Sequence, residues 1–149
     1  MNWELRSSSV LAPQKDNTYE TKNMEDGNAK TAWCEGADDD GCGEWFECVF
    51  VKGMGKEAVC SGISLTNGYA KNEAAWKENS RVRTLRVELN GKPLQEIALR
   101  DTMYPQHATF RPGIKVKIGD RLRFVITSVY RGSKYADTAI SDMTLTGAH

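Results

Sequence analysis

Imidazole and patterned thiols are scarce in this chain. It has two histidines, His107 and His149, and four cysteines, none in Cys-x-x-Cys spacing, which argues against a zinc site. No apolar run approaches the roughly 20 residues that span a bilayer, and residues 1–9 lack the apolar core of a signal peptide. A soluble domain with no membrane insertion is therefore expected, and a domain cut from a longer exported protein is left open. Charge of one sign is missing too. Lys and Arg total 20 and Asp and Glu total 20, interspersed rather than blocked, so there is no basic footprint for nucleic acid or an anionic membrane. No Gly-rich phosphate loop leads from a strand into a helix, His107 has no Ser or Cys motif partner, and the carboxylates form no evident acid–base pair, so no enzyme is expected. With no repeats, low-complexity tracts or internal linker, residues 1–149 read as a single domain, long enough to bury roughly two thirds of the surface its unfolded chain exposes.

What is present is β-prone sequence cut by turns. Strands are expected over residues 7–12, 44–52, 58–66, 81–89, 92–99, 106–110, 121–130 and 137–147. In the second of these, Trp45, Phe46, Cys48, Val49, Phe50 and Val51 follow the turn residues 38–43. In the third, Val59, Ile63 and Leu65 share a phase. Asn90-Gly91 separates two alternating runs and predicts a two-residue hairpin turn, because both central positions need positive φ. Pro112 is expected to stop an edge strand, and 121–130 to be central. Ile140 falls out of phase with Met143 and Leu145, which predicts a β-bulge at Ser141 and Asp142. The one helical stretch, 72–79, spans about two turns. Eight short strands with so little helix predict an all-β antiparallel sandwich or barrel.

Two stretches carry candidate chemistry. In residues 23–33, Asp26, Asn28 and Thr31 offer side-chain oxygens, Gly27 reverses the chain and Trp33 anchors the end, the makings of a cation-binding loop. The alternative is an Asx turn at Asp26-Gly27. In residues 67–83, Tyr69, Lys71, Trp76, Asn79 and Arg81, joined by Tyr130, Lys134 and Tyr135, mix aromatic faces with hydrogen-bonding groups in a way that suits a sugar. Against that, Trp76 can plug the end of the core, and Lys71 or Arg81 can pair with Asp101 or Asp137. The run Asp38, Asp39, Asp40 lacks the ligand spacing of an EF-hand and reads as a solvated turn. Cys48 and Cys60 read as small core residues, whereas Cys34 and Cys42 bracket a loop that a disulfide would close in an oxidising compartment.

The blocks Asn67-Gly-Tyr-Ala-Lys71, Trp76, Asn79-Ser-Arg-Val-Arg83, Asn90-Gly-Lys92, Leu99-Arg-Asp-Thr102 and the segment from Val129 to Asp142 resemble the galactose-binding-like, discoidin or coagulation factor five/eight type C family. Within it they are most similar to a bacterial branch that includes the translocation domain of streptococcal NAD glycohydrolase. The resemblance implies an eight-stranded jelly-roll β-sandwich. It also implies a structural calcium ion, with a carbonyl from Asn23, the Asp26 carboxylate, oxygens from Asn28 and Thr31, and a closing pair at Ser141 and Asp142, where the family usually has Glu. A non-catalytic carbohydrate-binding or adhesion module on an extracellular or cell-envelope protein is the implied function, its partner a glycan or a cell-surface protein. The alternative is a protein-interaction or toxin-translocation domain that binds no sugar.

Overall fold

The computed structural model describes residues 1–14, 17–28, 30–37, 41–51 and 57–148. The acidic run Asp38, Asp39, Asp40 lies outside them. Two antiparallel sheets face each other. One has five strands in the order β1 (Trp3–Ser7), β3 (Trp45–Phe50), β8 (Arg121–Tyr130), β5 (Arg81–Leu89), β6 (Lys92–Ala98). The other has four, in the order β2 (Trp33–Cys34), β9 (Ala139–Ala148), β4 (Ala58–Asn67), β7 (Gln106–Val116). The antiparallel sandwich expected from the sequence is thus present, with a two-residue ninth strand that periodicity cannot reveal. No helix of the described residues is long and apolar enough to cross a membrane.

The core is sewn across the sheets by rings. Trp33, on an edge strand of the four-stranded sheet, meets Phe46 of β3 edge-on at 5.7 Å. Phe46 stacks on Phe124 at 4.9 Å, and Phe124 approaches Phe110 of the other sheet at 6.2 Å. Cys48 and Cys60 are fully buried in this core, as expected of small apolar residues. The Asn90-Gly91 hairpin forms with φ of 51° and 87° at the two positions, and β8 is central, flanked by β3 and β5.

Four strand expectations need correction. The first strand is Trp3–Ser7, not 7–12: Trp3, Leu5 and Ser7 lean inward while Glu4 and Arg6 face out, and the strand pairs with β3 from Phe50 to Phe46. Beyond it Val10 is exposed, and Leu11 leaves the sheet, donating its N–H to Cys34 O at 2.9 Å. The third strand shifts register between Cys60 and Gly62, which moves Val59 to the solvent face, away from Ile63 and Leu65. Pro112 does not stop β7. The strand lies at the sheet edge, where a missing N–H breaks no ladder, and Gln95 of β6 brackets the proline. Its Oε1 accepts from Arg111 N at 2.9 Å, and its Nε2 donates to Pro112 O at 2.7 Å. Finally, the last strand opens at Ala139 rather than residue 137, which frees Asp137. The bulge in that strand is where phase analysis puts it. Thr66 pairs with Asp142 and Asn67 with Ile140, leaving Ser141 as the extra residue.

Candidate functional site

A cleft of about 360 Å³ opens where three connections meet: the loop after β1, the segment from β4 into the helix α1 (Glu73–Glu78), and the loop from β8 to β9. Its walls include Tyr19, Tyr69, Lys71, Asn79, Tyr135 and Asp137. Of the residues predicted to bind ligand, Tyr69, Lys71 and Asn79 line it, whereas Trp76, Arg81 and Tyr130 do not.

Trp76 and Arg81 build the wall from behind. Asn72 caps α1, its Oδ1 accepting from Ala75 N at 2.7 Å. The far end of the helix leaves carbonyls that must find donors, and Arg81 supplies several: one of its terminal nitrogens, Nη1, donates to the carbonyls of Trp76, Lys77 and Asn79 at 3.1–3.3 Å. The guanidinium is held by a two-point pairing with Asp101, both bonds 3.0 Å, and lies 4.5 Å from the Trp76 ring centroid. The β8–β9 loop supplies the rest. Ser133 N donates to Lys77 O, and Lys134 N and Tyr135 N donate to Glu78 O. Trp76 donates its indole N–H to Asn67 O at 3.1 Å, over Gly68 (φ +75°), where a Cβ would stand 2.7 Å from the ring. Tyr130 donates its hydroxyl to Leu99 O at 2.8 Å. The bulged Ser141 does a similar service, donating to Gly68 O and accepting from Ala70 N, each at 2.8 Å, so it pins the turn that carries Tyr69.

Sequence reasoning missed Tyr19 and did not foresee that Asp137 lines the cleft. Tyr19 sits in a polar connection with no period, and only its edge-on contact with Tyr69, centroids 6.1 Å apart and planes at 87°, brings it in. Both tyrosines are 7% exposed. Burial pushes the phenols of both up from their ordinary range. Behind the cleft, Glu35 is wholly buried. Its Oε1 accepts from Thr138 N at 3.0 Å and its Oε2 from Ala37 N at 2.8 Å, yet burial, with added repulsion from Asp137 and Glu44, lifts its pKa to about 7. A carboxyl raised in the folded state binds its proton more tightly there than in the unfolded chain. Its stabilising contribution is therefore complete below the unfolded value and is lost as pH rises through about 7. Melting temperature should fall between pH 5 and 8, with a carboxyl NMR titration placing Glu35 near 7; a midpoint near 4.5 would refute the assignment. Cys34 is buried and Cys42 exposed, with no disulfide joining them.

The predicted cation loop lies on the short 3-10 helix Thr21–Glu25, packed against β9. Asn23 spends its amide on Thr18 O and Ala32 O, at 3.0 and 3.1 Å, leaving its carbonyl. Asp26 makes the Asx turn, its Oδ1 accepting from Asn28 N at 2.9 Å and its Oδ2 from the Thr31 hydroxyl. Asn28 Oδ1 accepts from Lys30 N at 3.0 Å. Asp142 comes close enough that the Asp26 charge, after the larger effect of burial, raises its pKa. Ser141 turns its hydroxyl the other way and has only its carbonyl to offer. Among the described residues no three His, Cys, Asp or Glu side chains converge as a metal cluster.

The profile of one protein family, described as the NAD glycohydrolase translocation F5/8 type C domain, matches residues 2–146. No curated protein sequence matches the chain. Among solved structures, the F5/8 type C domain of a Bacteroides fragilis protein is similar over 96% of this chain and 89% of that one, at 16% identity and a TM-score of 0.63. The family 32 carbohydrate-binding module of C. perfringens NanJ, solved with galactose, is similar over 96% and 92%, at 14% identity and a TM-score of 0.59. The mycobacterial arabinofuranosyltransferase AftD matches all of this chain at 16% identity and a TM-score of 0.64, but the chain spans only 11% of its length. At these identities the likeness is one of fold.

Proposed function

Because the chain belongs to the NAD glycohydrolase translocation F5/8 type C domain family, we propose that it is a non-catalytic binding module whose ligand is a carbohydrate seated in the cleft beside Tyr19, Tyr69 and Tyr135. One observation carries this reading: a concave site whose aromatic walls stand beside solvent-open polar groups, among them Lys71, Asn79 and Asp137. That is the arrangement a pyranose needs, its C–H faces against rings and its hydroxyls against directed acceptors and donors. The NanJ module, of the same fold, was solved with galactose. Glycan-array binding by the intact chain should drop about tenfold, or about 1.4 kcal/mol, in Lys71→Ala and in Tyr135→Ala. Both side chains are exposed, so each variant should melt like the parent. An array with no bound glycan would sink the sugar reading.

The family description favours a second reading, in which the same loops engage a protein during translocation of an attached polypeptide. It predicts that deleting the domain stops delivery of its cargo even though no glycan binds. In either case the parent protein works outside the cell or in its envelope.

We also propose that a calcium ion clasps the 3-10 segment to β9. The donors fit such an ion in kind. Asp26 and Asp142 bring two carboxylates together from distant parts of the chain at a cost in mutual repulsion, and Asn23, Thr31 and Ser141 can add oxygens toward the roughly six to eight that calcium takes. Its role there is structural. Chelation should lower the melting temperature of the wild type and leave Asp26→Asn unchanged; identical curves with and without chelator would argue against the ion.

A further inference from the structure

Among the described residues of the cleft wall, Asp137 is a carboxylate with no cation to answer its charge. Its backbone is fixed, since Ser80 N donates to Asp137 O at 3.0 Å, but its partly buried side chain makes no hydrogen bond or ion pair among the described residues. The groups that face it are Tyr19 from the first loop, Cys34 from β2 and Glu35 beyond it, none of them positive. Burial alone raises its pKa. Among the described residues, the cations of this end of the sandwich are engaged elsewhere. Lys71 is exposed and reaches Asn17 Oδ1 at 3.4 Å, while Lys134 lies over the Tyr135 ring at 5.2 Å and beside Glu78. Tyr19 and Tyr69, each 7% exposed, have hydroxyls that neither donate to nor accept from any described residue. A partly buried carboxylate and two phenol oxygens, all open to the cleft and without protein partners among the described residues, are groups that a ligand can complete. A divalent metal does not suit one carboxylate and two phenols, because it would want several more oxygens. An ammonium does: it neutralises the carboxylate, gives N–H donors to the phenol oxygens and is attracted to ring faces.

We propose that the cleft selects a sugar bearing a free amino group, with Asp137 as counter-ion and the Tyr19 and Tyr69 hydroxyls as acceptors. This rests on the cleft being a glycan site. Calorimetric or NMR titration of the intact chain with glucosamine and galactosamine, their N-acetyl forms and the parent hexoses separates the two ideas. The amino sugars should bind about tenfold or more tightly than either neutral set, shifting resonances of Tyr19 and Tyr69, and Asp137→Asn should erase that preference. Equal affinity for amino and neutral sugars overturns the ammonium assignment and leaves a glycan site standing, as does a preference that survives in Asp137→Asn. Binding of none of these sugars overturns both. The comparison on the wild-type chain decides the matter even if Asp137→Asn folds poorly.

Discussion

Arg81→Ala is expected to destabilise the domain by about 3 kcal/mol, roughly 6–12 °C in melting temperature, and to abolish binding in the cleft although Arg81 does not line it. Its side chain is only 10% exposed and joins three things at once: the carboxylate of Asp101, the Trp76 ring and three carbonyls at the end of α1. Truncation leaves those carbonyls short of a donor and Asp101 without its partner, and each loss costs more than the net value of the bond removed. The α1 segment then loosens, and with it Tyr69 and Asn79. Arg81→Lys should recover little, because a single ammonium cannot make the two-point contact with Asp101 and serve the helix end as well. Chemical denaturation beside ligand titration checks this; a variant with wild-type stability and lost binding would assign Arg81 to the ligand instead.

The second large effect is expected at Trp33. Trp33→Ala should cost about 3–5 kcal/mol, the usual range for emptying a large aromatic site in a core. Trp33 is fully buried, meets Phe46 across the sandwich, and donates its indole N–H to Ser9 O at 3.0 Å. Phenylalanine would keep part of the contact and lose the bond that ties the segment after β1 to the edge of the four-stranded sheet. Urea unfolding should rank the chains wild type, Trp33→Phe, Trp33→Ala. A loss below about 1 kcal/mol for alanine would mean the edge strand is dispensable to the core.

Much of this was legible in the chain. Alternation in 121–130 marks a central strand because side chains in a strand point to opposite faces in turn, and Leu122, Phe124 and Ile126 on one phase with Val125 on the other cover both faces. Asn90-Gly91 marks its turn because few other pairs tolerate positive φ twice. The change of phase at Ser141 marks a bulge for the same periodic reason. Two-residue β2 has no period to read, and the bulge that flips Val59 sits at Ser61 and Gly62, where no apolar side chain announces it. Tyr69, Lys71 and Asn79 were found by composition. Trp76 and Arg81 belong to the same stretch but face the other way, and composition cannot tell the two sides of a short loop and helix apart.

The sequence by itself determined the antiparallel all-β fold, its central strand over residues 121–130, its hairpin and the segment that carries half the cleft, because local periodicity and turn chemistry act between near neighbours. Only the tertiary structure decided what the cleft is made of. Tyr19 meets Tyr69 across 50 residues, Glu35 holds Thr138, and the β8–β9 loop closes the end of α1. Such contacts arise from how two sheets pack and where their connections converge, and no spacing along the chain encodes them.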